Sequence, residues 1–150
     1  MKINIWADGS IHPNPGGIGG WACVAVLPSG EIKELSGSES VSTNNRMELK
    51  SCIESIKWAF SDLECSSLNL YSDSAYVVNC FLQKWYIKWR SNGWINSKRK
   101  PVENKDLFEE LINLYENYEV NFIKTRGHHN DELNNRCDKL ANAARISHCK

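Results

Sequence analysis

The run Thr43-Asn44-Asn45-Arg46-Met47-Glu48-Leu49 places a hydroxyl, two amides, a guanidinium and a carboxylate within seven residues. Thr43 can accept the free N–H groups of a helix start, and apolar residues then recur at a 3.6-residue spacing, which predicts an amphipathic helix over residues 43 to 61. Glu48 lies one turn before Cys52, at the border of the buried stripe. Two interpretations are open: a glutamate that interacts with the helix dipole, or a metal ligand, which requires further acids.

Three more acids occupy positions that suit such a site. Asp8 ends a short alternating stretch typical of a strand, and Asp73 ends a second one. If the two strands are parallel neighbours, both carboxylates emerge at the same carboxyl edge of the sheet, where open α/β sheets bind ligands. Asp138 follows an apolar residue in a closing helix and, like Glu48, borders a buried stripe.

Four carboxylates held together cannot all stay ionised without cations between them, because like charges raise each other's pKa. Hard oxygen ligands favour Mg²⁺ or Mn²⁺. Two such ions roughly 3.5 to 4 Å apart are a general device for in-line displacement at phosphorus. The acids therefore predict a two-metal site for phosphoryl transfer.

Residues 84 to 105, here called the basic segment, carry seven Lys or Arg against the single acid Glu103, although the chain as a whole has a net charge of zero. The segment also contains Trp85, Trp89 and Trp94, of which the first two are one helical turn apart. Cations interleaved with aromatic rings suit a phosphate and sugar track. The alternative is a solvated helix whose tryptophans belong to the core.

The length of 150 residues, with 41% hydrophobic and 24% charged residues, suits one domain, which we assign to residues 1–145 with a short tail at 146–150. The start has no signal-peptide pattern, and no segment approaches the roughly 20 apolar residues that span a bilayer. The six cysteines include no Cys-x-x-Cys pair, which favours buried, reduced thiols. We expect a cytoplasmic monomer with no membrane partner.

The predicted element order gives an α/β protein with a five-stranded mixed sheet (βββαβαβα) flanked by helices, with the basic segment as a helix-loop protrusion. An antiparallel hairpin and parallel strands joined by right-handed crossovers account for this order. The predicted strands cover residues 2–8, 21–27, 32–36, 68–73 and 119–125. A long glycine-rich turn is predicted from Gly9 to Gly20, a helix after Ser74, another over 106–118, a polar loop at 127–131 and a closing helix to about Arg145.

In this order the chain resembles a type 1 ribonuclease H of the bacterial RNase HI kind. The matching pieces cover nearly the whole chain: Asp8-Gly9-Ser10, Asn14-Pro15-Gly16, Thr43 to Leu49, Ser72-Asp73-Ser74, Gly93-Trp94, Lys100-Pro101-Val102 with Asn104, Gly127-His128, and Arg136-Cys137-Asp138-Lys139-Leu140-Ala141. The resemblance implies a ribonuclease H-like fold and endonucleolytic hydrolysis of the RNA strand of RNA/DNA hybrids. The implied products carry 5′-phosphate and 3′-hydroxyl ends, and the implied cofactor is Mg²⁺, two ions per site, with Mn²⁺ as a substitute.

The resemblance also implies a catalytic role for each acid. Asp8 would bridge both ions, Asp73 and Asp138 would hold the ion that activates water, and Glu48 would hold the other ion and meet a 2′-hydroxyl. His128 would shuttle protons or help product leave; its alternative is a surface-loop histidine. No role is assigned to His129.

Nucleic-acid contacts are implied around these acids. Amides at the glycine turn and helix start suit the minor groove, where 2′-hydroxyls distinguish RNA from DNA. Two tryptophans would line a channel for the DNA strand, and Thr43 with Asn104 would grip one DNA phosphate. The full set is Asn14, Thr43, Asn44, Asn45, Asn79, Trp85, Trp89, Lys98, Arg99, Lys100 and Asn104.

The sequence departs from the family pattern at three positions. Ala7, Val41 and Ala75 stand where relatives often carry a hydroxyl residue, an arginine and a glutamine, so weaker contact with the DNA strand is expected. Two other functions remain open: a non-catalytic hybrid-binding module, which usually loses an acid, and a transposase or integrase core, in which Glu109, about 35 residues after Asp73, would be the third acid.

Overall fold

A five-stranded mixed sheet forms the centre of the structure, a computed structural model that describes residues 1–125 and 131–148. The sheet order is β3-β2-β1-β4-β5, in which β1, β2 and β3 pair antiparallel while β1, β4 and β5 pair parallel. This arrangement confirms the predicted fold class. The strands are β1 (Lys2–His12), β2 (Ile18–Val26), β3 (Ile32–Glu39), β4 (Ser67–Ser72) and β5 (Val120–Lys124).

Five helices connect and cover these strands in the described part of the chain: α1 (Asn44–Phe60), α2 (Ala75–Leu82), α3 (Trp85–Ser91), α4 (Lys105–Asn117) and α5 (Glu132–Ser147). Side chains cap three of them, because Thr43, Ser74 and Asp131 each accept an N–H of the first turn. Helix α5 continues two residues beyond its predicted end. None of the described helices has the length and apolar character needed to span a membrane.

The two faces of the sheet bury different helices. Apolar residues of β1, such as Ile3 and Ile5, pack with the buried stripe of α1, in the cluster that also contains Phe108 of α4. On the opposite face, Cys137 and Ala141 of α5 pack against β2. The sheet therefore lies between α1 and α5, and acids on both helices can reach its carboxyl edge.

The glycines at the end of β1 and the start of β2 permit close helix packing. The predicted turn from Gly9 was wrong, because β1 continues to His12 by pairing with β2. A Cβ on Gly9 would lie 2.7 Å from the backbone nitrogen of Glu48, and one on Gly20 would lie 2.2 Å from the carbonyl oxygen of Ala141. Both positions thus require glycine because a helix backbone passes directly over them.

The basic segment folds into α3 and a following loop, as predicted. The loop turns at Asn96, whose side-chain oxygen accepts the backbone N–H groups of Lys98 and Lys100 at 2.9 and 3.0 Å. An isolated β-bridge between Ile95 and Pro101 closes the turn. The turn therefore presents Lys98, Arg99 and Lys100, all exposed, from a fixed backbone.

Candidate active site

Asp8, Glu48 and Asp73 meet at the carboxyl edge of the parallel strands. One carboxylate oxygen of each lies within 4.8 Å of the others. In the parallel pair β1–β4, Ala7 is opposite Ser72, so Asp8 and Asp73 are the next residues on adjacent strands. Glu48 arrives from α1, whose close approach Gly9 permits. The predicted parallel neighbourhood of the two aspartates is therefore confirmed, although Asp8 lies within β1 rather than at its end.

Burial, together with the charges of neighbouring carboxylates, raises the pKa of all three groups. Burial, reinforced by the charge of Asp73, raises the pKa of Asp8 from 3.8 to about 7. The pKa of Glu48 is also raised, by burial first and then by the charges of Asp8 and Asp73. The pKa of Asp73 is raised by burial, which the nearby Lys124 ammonium offsets in part. Without a cation, the cluster thus retains protons at pH values where exposed carboxylates are ionised.

The donor set fits a divalent cation. Glu48 is only 4% exposed, and its Oε2 is buried without a hydrogen-bond partner among the described residues. The backbone N–H of Gly9 donates to Oδ1 of Asp8 at 2.9 Å. A buried carboxylate oxygen without a donor is costly, and three hard oxygen ligands within 4.8 Å of one another are the ligands that Mg²⁺ and Mn²⁺ prefer.

Asp138 lies near this cluster without joining it. It is exposed on α5, next to the buried Cys137, and its charge nevertheless raises the pKa of both Asp8 and Asp73. The structure therefore gathers three of the four predicted acids and leaves the fourth at the open side of the site. His128, with its neighbours Gly127 and His129, lies outside the described residues.

Several predicted nucleic-acid contacts cluster at the start of α1. Asn14 Oδ1 accepts the backbone N–H of Asn44 at 3.2 Å, which links the glycine turn to the helix. Arg46 donates from Nη1 to Oδ1 of Asn104 at 3.3 Å and also pairs with Asp106. Arg46 belongs to the run from Thr43 to Leu49, but the sequence assigned it no role. Its contact with Asn104 indicates that it supports the predicted phosphate contact of that residue.

The remaining predicted contacts differ in their accessibility. Asn45 and Asn79 are half-buried. Val41 and Ala75, two of the positions that depart from the family pattern, are exposed and take no part in the core. The exposed residues Lys98, Arg99 and Lys100 are here called the basic turn. Their side chains form no ion pair within the described part of the chain.

The two tryptophans expected to line a channel are placed differently. Trp89 is 7% exposed and packs on Trp94 and Phe108, with ring centroids 5.9 and 5.1 Å apart. Trp85 is half-buried, 6.2 Å from the ring of Trp89. Trp89 is therefore a core residue, as the alternative interpretation of the basic segment had it. Trp85 has the more accessible ring of the two.

The rival third acid does not join the cluster in the described structure. Glu109 is exposed on α4, where its carboxylate lies 4.0 Å from the ammonium of Lys105. The described acids that converge with Asp73 are Asp8 and Glu48. This arrangement disfavours the transposase or integrase reading.

Five described cysteines, at positions 23, 52, 65, 80 and 137, are buried and free, as the spacing indicated. Burial raises the pKa of Cys23 and of Cys80 to about 12, so these thiols stay protonated and unreactive. They are structural, and Cys137 donates to backbone carbonyls of β1 and β2.

A mixed sheet in this strand order, with carboxylates from β1, α1 and β4 at one edge, defines an α/β protein of the ribonuclease H-like fold. The RNase H family model matches residues 1–146, and the chain belongs to this family. The resemblance found in the sequence is therefore confirmed.

Individual relatives agree with this assignment. The chain is 48% identical over 139 residues to the Ribonuclease H of Thermoanaerobacter sp. (strain X514), covering 93% of this chain and 86% of that protein. It is 44% identical over 148 residues to the Ribonuclease H of Caldanaerobacter subterraneus subsp. tengcongensis, covering 99% and 94%. Its structure resembles that of LC9-RNase H1, a type 1 RNase H with the type 2 active-site motif, with a TM-score of 0.83, 26% identity, and coverage of 97% of this chain and 72% of that chain.

Proposed function

We propose that this protein hydrolyses the RNA strand of RNA/DNA hybrids endonucleolytically and leaves 5′-phosphate and 3′-hydroxyl ends. The observation that carries the proposal is the convergence of Asp8, Glu48 and Asp73 within 4.8 Å, on a chain that is 48% identical over 139 residues to a protein named Ribonuclease H. The presence of all the acids argues against a binding module without catalysis.

Asp8, Glu48, Asp73 and Asp138 are the residues that would hold two Mg²⁺ ions, with Mn²⁺ as a substitute. When bound, such ions activate water and neutralise charge at the phosphorus under attack. The buried carboxylates of Asp8 and Glu48 form the fixed floor of the site. Asp73 is half-buried and Asp138 exposed, so substrate enters on the side that these two residues line.

Substrate recognition is assigned to surfaces beside this site. Asn14 Oδ1 accepts the backbone N–H of Asn44 at 3.2 Å, and the side-chain amides of both residues are hydrogen-bonding groups suited to the minor groove of the hybrid. Asn45 and Asn79 extend this role. Arg46 contacts both residues of the proposed phosphate grip, because its backbone N–H donates to Thr43 Oγ1 and its guanidinium donates to Asn104 Oδ1. The guanidinium beside Asn104 supports a phosphate grip in spite of the missing arginine at position 41.

The basic turn and Trp85 would contact the DNA strand. Lys98, Arg99 and Lys100 are exposed on this turn and form no ion pair with the residues that the structure describes, so their charges are available for phosphates. His128 would move protons or assist product release. The protein is proposed to act as a monomer in the cytoplasm, where its buried thiols stay reduced.

A cleavage assay tests this function directly. Labelled RNA/DNA hybrid, single-stranded RNA, duplex RNA and duplex DNA are incubated with the protein in Mg²⁺ or in EDTA. We expect cleavage of the hybrid RNA strand alone, only with metal, and none by the Asp73→Asn variant.

Other outcomes would favour the rival functions. Metal-independent binding of hybrid without cleavage would indicate a binding module. Nicking or strand transfer on duplex DNA would indicate a transposase or integrase core.

A further inference from the structure

A chain of hydrogen bonds runs from Arg145 to Asp138 beside the acidic cluster. Arg145 Nε donates to Ser10 Oγ at 3.1 Å, and the Ser10 hydroxyl donates to Oδ1 of Asn142. Asn142 Nδ2 then donates to Oδ2 of Asp138 at 3.5 Å. Asn142 and Arg145 lie outside the motifs to which the sequence assigned a role, so their part in the site comes from the structure alone.

The direction of this chain follows from the chemistry of its members. A guanidinium can only donate, so the Ser10 oxygen must be the acceptor in its contact with Arg145. The single hydroxyl proton of Ser10 therefore goes to the carbonyl oxygen of Asn142. This contact orients the amide, and its NH₂ group consequently faces the carboxylate of Asp138.

The fold brings these groups together for packing reasons. Cys137 and Ala141 bury one side of α5 against the sheet, where Gly20 lets the helix approach closely. Asp138, Asn142 and Arg145 follow each other at spacings of four and three and thus share a face of the helix. Ser10 lies two residues after Asp8 and so points to the same face of β1 as that ligand.

We propose that Asn142 is a positioning residue for Asp138, which it holds toward the metal site through the Arg145–Ser10 chain. The inference rests on the proposed assignment of Asp138 as a metal ligand. Asp138 is exposed and stands apart from the three clustered acids, so packing restrains its side chain less than theirs.

A neutral amide suits this task better than a cation. A lysine or arginine at position 142 would pair with Asp138 and compete with a bound metal for its negative charge. The Asn142 amide restrains the carboxylate and leaves that charge free. The cation of the chain, Arg145, is separated from Asp138 by two hydrogen-bonding side chains.

The test measures Mn²⁺ binding to the hybrid-free protein by isothermal titration calorimetry or electron paramagnetic resonance. Groups that orient metal ligands are typically worth 10- to 100-fold in metal affinity, and for Asn142→Ala we expect about tenfold weaker binding. The KM for hybrid should stay unchanged, and kcat should fall at limiting metal and recover at high metal concentration. Asn113→Ala, which removes an exposed amide from a different helix, α4, is the matched control and should bind Mn²⁺ like the wild type.

Ser10→Ala provides a second variant that leaves α5 intact. Without the Ser10 hydroxyl the amide loses its fixed orientation, so Mn²⁺ affinity should fall in the same direction. Unchanged Mn²⁺ affinity in both Asn142→Ala and Ser10→Ala would overturn the positioning role.

The Asp138→Asn background separates this inference from the proposed function. There, adding Asn142→Ala should cost nothing further, because the group that it orients is no longer a charged ligand. An equal loss in both backgrounds would overturn the positioning role and leave the ligand assignment standing. Unchanged Mn²⁺ affinity of Asp138→Asn itself would refute the ligand assignment.

Discussion

Asp8→Asn should stabilise the metal-free protein while abolishing its activity. Asp8 is 3% exposed, and burial together with the charge of Asp73 raises the pKa of its carboxyl group from 3.8 to about 7. An acid whose pKa is raised by folding favours the folded state only while it is protonated. The stability of the metal-free protein should therefore fall as pH rises from about 4 to about 7 and stay low above that.

The size of the effect follows from this pKa difference. At 1.36 kcal/mol per pKa unit, the rise from 3.8 to about 7 corresponds to about 4 kcal/mol of lost stability above pH 7. Asparagine carries no charge but weakens the contacts that the carboxylate makes with Gly9 and Glu48, at a cost of about 1 kcal/mol. A net gain of about 3 kcal/mol raises the melting temperature of a domain of this size by roughly 6 to 12 °C.

The assay is urea or thermal unfolding in EDTA between pH 4 and pH 8.5. The stability advantage of Asp8→Asn should be absent near pH 4, grow toward pH 7 and then level off. Millimolar Mg²⁺ should stabilise the wild type by mass action and narrow the gap.

Asp106→Asn is the matched control. Arg46 lowers the pKa of Asp106, so its contribution to stability is present at neutral pH and is lost as pH falls. This exposed variant should gain no stability at any pH. The reasoning fails if Asp8→Asn is no more stable than the wild type at pH 8 in EDTA, or if its advantage is equally large at pH 4.

Three further predictions concern the reaction itself. Glu48→Gln and Asp73→Asn should each abolish detectable cleavage with the fold retained, because each removes a charge that is proposed to hold a metal. Near wild-type cleavage by either variant, measured on labelled hybrid, would refute its assignment. His128→Ala should slow kcat by about 10² to 10⁴ and leave measurable turnover, whereas an unchanged rate would favour a surface histidine. Joint replacement of Lys98, Arg99 and Lys100 by Ala should raise KM with little change in kcat, and each lost phosphate contact should flatten the salt dependence of log affinity by roughly 0.7 to 0.9. An unchanged salt slope would indicate that the basic turn is a solvated surface without phosphate contacts. A large loss of kcat at saturating hybrid would indicate that the turn helps to form the active site.

The sequence alone determined the elements whose signals are local. The cap at Thr43 and the 3.6-residue stripe predicted α1 to within a residue or two at each end. The alternating residues before Asp8 and before Asp73 indicated two strands, which are β1 and β4 in the structure. These features were predictable because capping, periodicity and strand ends depend on neighbours within a few residues.

The tertiary structure decided what depends on distant partners. Gly9 resembled a turn residue, yet β1 continues past it because β2 supplies hydrogen bonds and α1 requires the missing Cβ. The sequence predicted that the ring of Trp89 stacks on nucleic acid, whereas in the structure the rings of Trp94 and Phe108 pack against it and bury it.

The same distinction applies within the acidic site. In the sequence, Asp138 and Glu48 both border an apolar stripe, so both were predicted to reach the site in the same way. In the structure Glu48 is buried in the cluster, while Asp138 is exposed beside it and contacts Asn142. The difference lies in which residue of each helix faces the sheet. The backbone of α1 passes over Gly9 at Glu48 itself, whereas the backbone of α5 passes over Gly20 at Ala141 and leaves Asp138 exposed. Residue types and spacing predicted four acids for the site, and packing decided that three of them converge while Asp138 stays exposed beside them.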